Sequence, residues 1–202
     1  MQDSANSAKE PVKVTHSSMV VFWEPSEGGE VRFLAFQYTR KKNGNPWTTW
    51  RFPNETGIKG EEPTQTAING MHQEMPLNPN DFHFEFDNSG ESIWVKQCDG
   101  DPDKGGGIHE KHVFLARIKR GELRTKPFDE PAKTDPKTGV EHPGETLGPP
   151  TWFEAETLLE MMHERGLRFH QEALIHALGF LAKDKAVASR YGKILAAHSD
   201  LG

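Results

Sequence analysis

Residues 51–77 read RFPNETGIKGEEPTQTAINGMHQEMPL, and this stretch decides the fold. From Pro63 onward its apolar residues recur at four-residue spacing, which is typical of an amphipathic helix. Proline is favoured in the first turn of a helix and ends a helix when it comes later, so Pro63 and Pro76 predict a helix over residues 63–75. A strand that stops at Pro53 precedes it. The stretch is therefore predicted to run from a strand through a loop into a helix.

The residues before this stretch predict a β-hairpin. An apolar run at 15–23, THSSMVVFW, is followed by the turn signal EPSEGGE and a second run at 31–40, VRFLAFQYTR. Alternate residues of the second run are apolar on both of its sides. A sheet covered on both faces gives this pattern, whereas a sheet open to solvent on one face alternates apolar with polar residues. We therefore expect helices on both faces of the sheet.

The residues after the stretch predict further strands and then helices. Strands are predicted in TTWRFP, DFHFEFDN, ESIWVKQC and HEKHVFLARIKR. Residues 125–150 are polar without periodicity and are expected to form a lid or a disordered loop. A helix is predicted over 152–166 and another over 169–198, broken near Lys183 or Gly192. This order of elements indicates an α/β (α+β) sandwich with a mixed β-sheet.

Composition limits the class of protein. A chain of 202 residues suits one compact domain, and residues 1–13 read as a mobile N-terminal tail. The net charge of −6 argues against a generic nucleic-acid surface, and no apolar run is long enough to span a membrane. The single cysteine, Cys98, cannot form an intramolecular disulfide, so we expect a cytoplasmic location.

Residues 55–77 resemble the Nudix box of the Nudix hydrolases, whose pattern is G-x5-E-x7-R-E-U-x-E-E-x-G-U, with U a bulky aliphatic residue. The spacing fits without a gap: Glu61 matches the first glutamate, and Met71 and Leu77 match the bulky positions. The resemblance implies a Nudix-like α/β/α sandwich over residues 14–182, followed by a C-terminal helical extension over 183–202. The name Nudix-like box is used below for residues 55–77.

In the family, three glutamates of the box helix hold Mg²⁺ or Mn²⁺. Here the R-E-U-x-E-E core reads Asn69-Gly70-Met71-His72-Gln73-Glu74, so Glu74 alone remains of those three. The resemblance implies Glu74 as metal ligand and catalytic residue, with Glu61 and Glu110 as further metal ligands. Glycine is costly inside a helix, and Gly70 either reflects a lost site or makes room for a side chain or ligand.

The resemblance also implies residues beside the substrate. The loop before Trp152 carries Glu141 and Glu145, which are candidates for the general base. At the end of the second predicted strand, Arg40 and Lys42 are candidates for contacts with substrate phosphates, and Trp50 for stacking on a base. A solvated turn and a packed aromatic residue are the alternatives for these side chains.

These observations leave competing hypotheses of function. The first is a metal-dependent hydrolase of a nucleoside diphosphate linked to another group. The second is a catalytically inactive Nudix fold that serves as a ligand-binding or regulatory module for a small nucleotide-like molecule. A third is a protein-interaction role for the C-terminal extension, a homodimer included, because its region has more apolar residues than the family domain needs: Leu178, Leu181, Ile194 and Leu195.

Overall fold

A computed structural model describes most of the chain. The described residues are 14–27, 30–42, 45–58, 60–75, 77–85, 92–100, 106–119, 123, 126–130, 133–134, 141–142 and 144–199. The structure describes only the backbone at residues 41, 42, 128, 130, 133, 134, 141 and 142. The predicted tail over 1–13 lies outside the described residues.

The described residues form one nine-stranded sheet and a separate two-stranded sheet. The strands of the large sheet are β1 (Val14–Pro25), β2 (Val31–Lys42), β3 (Asn45–Arg51), β4 (Asn54–Thr56), β5 (Phe82–Phe84), β6 (Trp94–Asp99), β7 (Ile108–Ile118), β8 (Phe128–Glu130) and β11 (Glu145–Glu154). The small sheet pairs β9 (Lys133–Thr134) with β10 (Glu141–His142). In the large sheet β1 runs parallel to β7 and antiparallel to β2, so the predicted mixed sheet is confirmed.

Strands β1 and β2 pair only near their hairpin turn. Their register joins Phe22–Pro25 to Val31–Leu34. Beyond these pairs, β4 pairs with β1 at Ser17–Met19, and β3 pairs with β2 from Phe36 to Lys42. The two strands therefore take different partners toward the end of the sheet where the Nudix-like box begins.

Helices cover both faces of the sheet. The four helices of the described residues are α1 (Pro63–Glu74), α2 (Ala155–Glu164), α3 (Arg168–Leu181) and α4 (Lys185–Ala197). On β1, Val20 packs in a cluster with α1, whereas its neighbour Val21 packs in a cluster with α2 and α3. Successive residues of a strand point to opposite faces, so α1 lies on one side of the sheet, here called the α1 face, and the other helices lie on the α3 face. The predicted α/β/α sandwich is confirmed, and none of the described helices is long and apolar enough to cross a membrane.

Two predictions near the C-terminus need correction. Residues 125–150 contain β8 and the beginning of β11 rather than irregular structure alone. The helix predicted from Trp152 begins at Ala155, because Trp152 and Phe153 end strand β11. These two rings pack against the clusters on opposite faces, and a strand that is covered on both faces shows the same continuous apolar run as a buried helix. The predicted break near Lys183 is confirmed, since Asp184 caps α4 by accepting a hydrogen bond from the Ala186 amide at 2.8 Å.

Helix α4 packs against the rest of the sandwich. Leu178 and Leu181 are buried in α3, and Ile194 and Leu195 of α4 are partly buried against the same cluster. The hydroxyl of Tyr191, which is buried, accepts a hydrogen bond from the Val31 amide at 3.0 Å and donates to the Val31 carbonyl at 3.4 Å. Val31 lies opposite Pro25, which has no N–H to offer that carbonyl. These apolar residues serve the core of the domain, while a homodimer stays a prediction.

We expect Tyr191→Phe to lower the free energy of unfolding by about 1–2 kcal/mol, because it leaves two buried backbone groups of Val31 without the hydroxyl. Urea unfolding followed by circular dichroism measures this loss. The dependence of the free energy on urea should stay as in the unmodified protein, because the same surface is exposed on unfolding. A variant as stable as the unmodified protein would contradict the role of this hydroxyl.

Candidate functional site

The carboxylate of Glu61 is held by three donors at the start of α1. The Thr66 hydroxyl donates to Oε2 at 2.6 Å, and the Asn69 side-chain amide donates to Oε1 at 2.6 Å. The backbone amide of Ile58 donates to Oε2 at 3.3 Å. The hydrogen bond from Thr66 is the main cause that lowers the pKa of Glu61. The carboxylate is therefore ionised and engaged on both oxygens, and Asn69 acts from the arginine position of the Nudix-like box.

A histidine of β1 extends this arrangement. His16 Nε2 lies 2.8 Å from the Thr66 hydroxyl oxygen. Because Thr66 gives its only hydroxyl proton to Glu61, His16 must donate to Thr66 from Nε2. The ring of His16 also covers Gly57, where a Cβ atom would lie 2.0 Å from Nε2, so no larger residue fits there. His16, Thr66 and Glu61 thus fasten the loop before α1 to the central strand.

The space at Gly70 is filled by a neighbouring side chain. A Cβ atom at Gly70 would lie 2.8 Å from Cβ of Glu55, which belongs to β4. Of the two explanations offered by the sequence, the one in which a side chain uses this space agrees with the contact. Glu55 stands at the first glycine position of the Nudix-like box, so two departures from the pattern meet at one place.

The other proposed metal ligands, Glu110 and Glu74, do not form a metal-binding group with Glu61 in the described structure. Glu110 of β7 accepts a hydrogen bond from the Gln97 side-chain amide at 3.0 Å, and His112 Nε2 lies 3.4 Å from its other oxygen. Glu74 is half-buried in the last turn of α1. No group of three or more His, Cys, Asp or Glu side chains that could hold one metal ion occurs among the described residues. The structure therefore does not bring Glu61, Glu74 and Glu110 together as one set of ligands.

Two of the proposed substrate and base residues meet on the α1 face. In the sheet register, Arg40 of β2 lies opposite Trp47 of β3 on one side and opposite Glu145 of β11 on the other. The Cζ atom of Arg40 lies 5.1 Å from the centre of the Trp47 ring. Glu145 accepts a hydrogen bond from the Tyr38 hydroxyl.

Sequence reasoning missed Arg51 at this place. Its guanidinium lies over the Tyr38 ring, with Cζ 3.4 Å from the ring centre. Burial and the hydrogen bond to Glu145 raise the pKa of Tyr38 to about 12, although the charge of Arg51 opposes the rise. The name arginine cluster is used below for Tyr38, Arg40, Trp47, Arg51 and Glu145. The sequence indicates that Tyr38 and Arg40 share one face, because they are two residues apart on one strand. The position of Arg51 depends on the register between β2 and β3, which the sequence does not show.

The remaining candidates lie elsewhere. Trp50 is on the α3 face, where its ring packs on Phe153 with centres 4.7 Å apart, so the structure does not bring it to Arg40. Glu141 belongs to β10 in the two-stranded sheet. The side chains of Glu141 and Lys42 lie outside the described residues, and their roles stay predictions.

Comparison with known proteins identifies the fold. Neither models of protein families nor sequences of curated proteins give a match. Among solved structures, an Ap4A hydrolase of C. elegans in a binary complex is 14% identical, with a TM-score of 0.53, and the match covers 84% of this chain and 99% of that one. A protein of Jonesia denitrificans, described as a possible asymmetric diadenosine tetraphosphate hydrolase, is 11% identical with a TM-score of 0.50 over 85% of this chain and 97% of that one. A mutT/nudix family protein of Listeria innocua is 16% identical with a TM-score of 0.47 over 86% and 96%. The chain has the Nudix fold.

The residues at the box of this Nudix fold do not fit a metal held as the sequence resemblance implies. A divalent cation of this kind takes oxygen ligands that are free to turn toward it. Both oxygens of Glu61 already accept hydrogen bonds from the protein, and Gly70 and Gln73 offer no carboxylate. Glu55, whose side chain reaches the space at Gly70, comes from β4 rather than from the helix.

We expect Gly70→Ala to destabilise this Nudix fold by about 1–2 kcal/mol. Alanine should gain up to about 1 kcal/mol of helix propensity, but its Cβ would press on the root of the Glu55 side chain, which cannot swing away. Gly179→Ala in α3 is the matched control, because an added Cβ there meets no atom within 4 Å and should stabilise the protein by about 0.5–1 kcal/mol. Thermal and urea unfolding of both variants measure the difference. Stabilisation by both substitutions would contradict the contact between Glu55 and α1.

A half-buried histidine, His170, lies close enough to Arg51 to feel its charge. The Nδ1 atom of His170 accepts a hydrogen bond from the Phe52 amide at 3.2 Å. Burial, together with the charges of Arg51 and Lys111, lowers the pKa of His170 to about 3. His170 is therefore neutral at neutral pH and carries its proton on Nε2, because Nδ1 is the acceptor.

We expect His170 to make stability depend on pH below about 6.5. Between pH 6.5 and about 3 the unfolded chain binds a proton at this histidine and the folded protein does not, so the free energy of unfolding falls as pH falls through that range. On going from pH 7 to pH 4.5, the unmodified protein should lose about 1–3 kcal/mol more than His170→Asn, which retains an acceptor for Phe52. Urea unfolding at both pH values tests this. Equal losses in the two proteins would show that His170 titrates alike in the folded and unfolded states.

Proposed function

We propose that this protein is a Nudix-fold module that binds a small nucleotide-like molecule without hydrolysing it through a metal ion. This is the second of the hypotheses that the sequence leaves open. The observation that carries it is the state of Glu61, whose two carboxylate oxygens accept hydrogen bonds from Thr66, Asn69 and the Ile58 amide. A carboxylate used in this way helps to hold the loop before α1.

The surroundings of Glu61 support this structural role. His16 donates to Thr66, so a chain of hydrogen bonds runs from β1 through Thr66 to Glu61. Moving the carboxylate toward a metal ion would break this chain and release the loop. The helix positions that would supply other carboxylates carry glycine and glutamine, and Glu55 uses the space at Gly70.

The class of ligand is proposed from the neighbours and from the α1 face. Two of the similar solved structures are described as Ap4A or diadenosine tetraphosphate hydrolases, so their substrate contains nucleosides joined by phosphates. On the α1 face of this chain, the arginine cluster offers guanidinium groups and aromatic rings, which suit phosphates and a flat base. A cytoplasmic location stays part of the proposal.

The proposal is tested by calorimetry together with product analysis. We expect a non-hydrolysable diadenosine tetraphosphate analogue to bind with a Kd that changes less than twofold when Mg²⁺ or Mn²⁺ is replaced by a chelator. We also expect no product from hydrolysable dinucleoside polyphosphates, because the described part of the chain has no set of carboxylates that could hold the ion. Glu74→Gln should bind as the unmodified protein does.

Metal-dependent release of a phosphorylated product that disappears in Glu74→Gln would establish the hydrolase hypothesis and reject the proposal. His72→Gln, a substitution at an exposed position of the same helix, is the matched control for that variant.

A further inference from the structure

Two arginines of the α1 face are stacked on aromatic rings beside each other. Arg51 lies over Tyr38, and Arg40 lies near the Trp47 ring. The rings of Tyr38 and Trp47 meet edge to face with centres 6.2 Å apart. Stacking fixes the plane of a guanidinium and leaves the N–H groups at its edge as donors for a planar or tetrahedral anion.

Neither arginine has an anionic partner among the described residues. The arginine ion pairs of the described residues use other arginines, such as Arg32, Arg168 and Arg190. The Nε atoms of Arg40 and Arg51 are both buried and without a hydrogen-bond partner. Buried donors are nearly always paired in proteins, and an unpaired one on a charged group is costly. Two such donors on one face indicate that an anion belongs there.

One carboxylate, that of Glu145, is present in the cluster, but its hydrogen bond comes from Tyr38 rather than from an arginine. Glu145 accepts the hydrogen bond of the Tyr38 hydroxyl, although it lies opposite Arg40 in the sheet register. The arginine cluster thus contains two guanidinium groups and one carboxylate. The excess of positive charge favours a ligand anion, and Glu145 should weaken its binding.

The position of the cluster connects it with the box helix. Leu34 of β2 packs in the cluster under α1, and Phe36, Tyr38 and Arg40 follow at alternate positions of the same strand. Alternate residues share one face, so the arginines lie on the same side of the sheet as α1. A molecule that contacts them therefore binds on the side of the sheet that α1 covers.

We propose that Arg40 and Arg51 form an anion site for the phosphate groups of the bound molecule, and this inference rests on the proposed function for the identity of that molecule. The guanidinium groups donate hydrogen bonds to phosphate oxygens, and Tyr38 and Trp47 hold the guanidinium groups in place. The carboxylate of Glu145 repels the phosphate and lowers the affinity. No metal ion is needed for this contact.

The site is tested by calorimetry with ADP and with inorganic pyrophosphate, in the presence of a chelator. We expect Arg40→Gln and Arg51→Gln each to weaken the binding of both probes at least tenfold. Arg32→Gln, on the same strand but paired with Glu24, is the matched control and should bind as the unmodified protein. Glu145→Gln should bind both probes several-fold more tightly, a gain that a damaged fold cannot produce. Binding of both probes should weaken as salt rises from 50 to 300 mM.

Several outcomes would overturn the inference. Binding of neither probe at millimolar concentration, or unchanged binding in both glutamine variants, would reject the site. If Arg32→Gln weakened the binding of the probes as much as Arg40→Gln does, the effect would come from the general charge of the protein rather than from a site. If Arg51→Gln does not fold, Arg51→Lys decides, since it keeps the charge but loses the planar stack and should bind less tightly. Metal-dependent hydrolysis would reject the proposed function and leave the arginine site standing, so the two failures are distinguishable.

Discussion

The short paired segment between β1 and β2 is the constraint on which the rest of the site depends. The two strands pair only where Phe22–Pro25 meet Val31–Leu34. Every backbone group of a buried strand needs a hydrogen-bond partner, so each strand must find another neighbour beyond this point. β1 takes β4, which brings Glu55 and Gly57 toward α1, and β2 takes β3, which brings Arg51 beside Tyr38. The loop before α1 and the arginine cluster both follow from this separation.

The sequence predicts the fold well because the fold depends on patterns that are local. Apolar residues on both sides of β2 predict helices on both faces, and Pro63 stands at the beginning of α1 as predicted. The errors come at the beginning of α2, where a strand covered on both faces has the same apolar run as a helix. Local pattern cannot separate these two cases, since only the neighbouring chain decides which groups the backbone bonds to.

The candidate site is harder to predict because its contacts join distant residues. Glu61 matches a metal-binding pattern by spacing, yet its carboxylate accepts hydrogen bonds from Thr66 and Asn69. His16, which donates to Thr66, is 50 residues from it in the chain. Trp50 and Arg51 are adjacent in the chain and lie on opposite faces of the sheet. A shift of one residue in register would exchange them, and the sequence does not give the register between β2 and β3.

The charges of the Nudix-like box and of the arginine cluster, which lie on the same face of the sheet, act in one direction. A phosphate-bearing molecule needs positive charge, which a protein supplies either through a metal ion held by carboxylates or directly through arginine and lysine. In this chain the box helix lacks two of the three carboxylates of the pattern and its arginine, while the sheet beside it holds two arginines that have no anionic partner among the described residues. In the proposed function, fewer carboxylates at the helix weaken the hold on a metal ion and also reduce the repulsion toward a phosphate group bound at the arginines. The departures from the pattern that disfavour recognition through a metal ion therefore favour direct recognition by side chains.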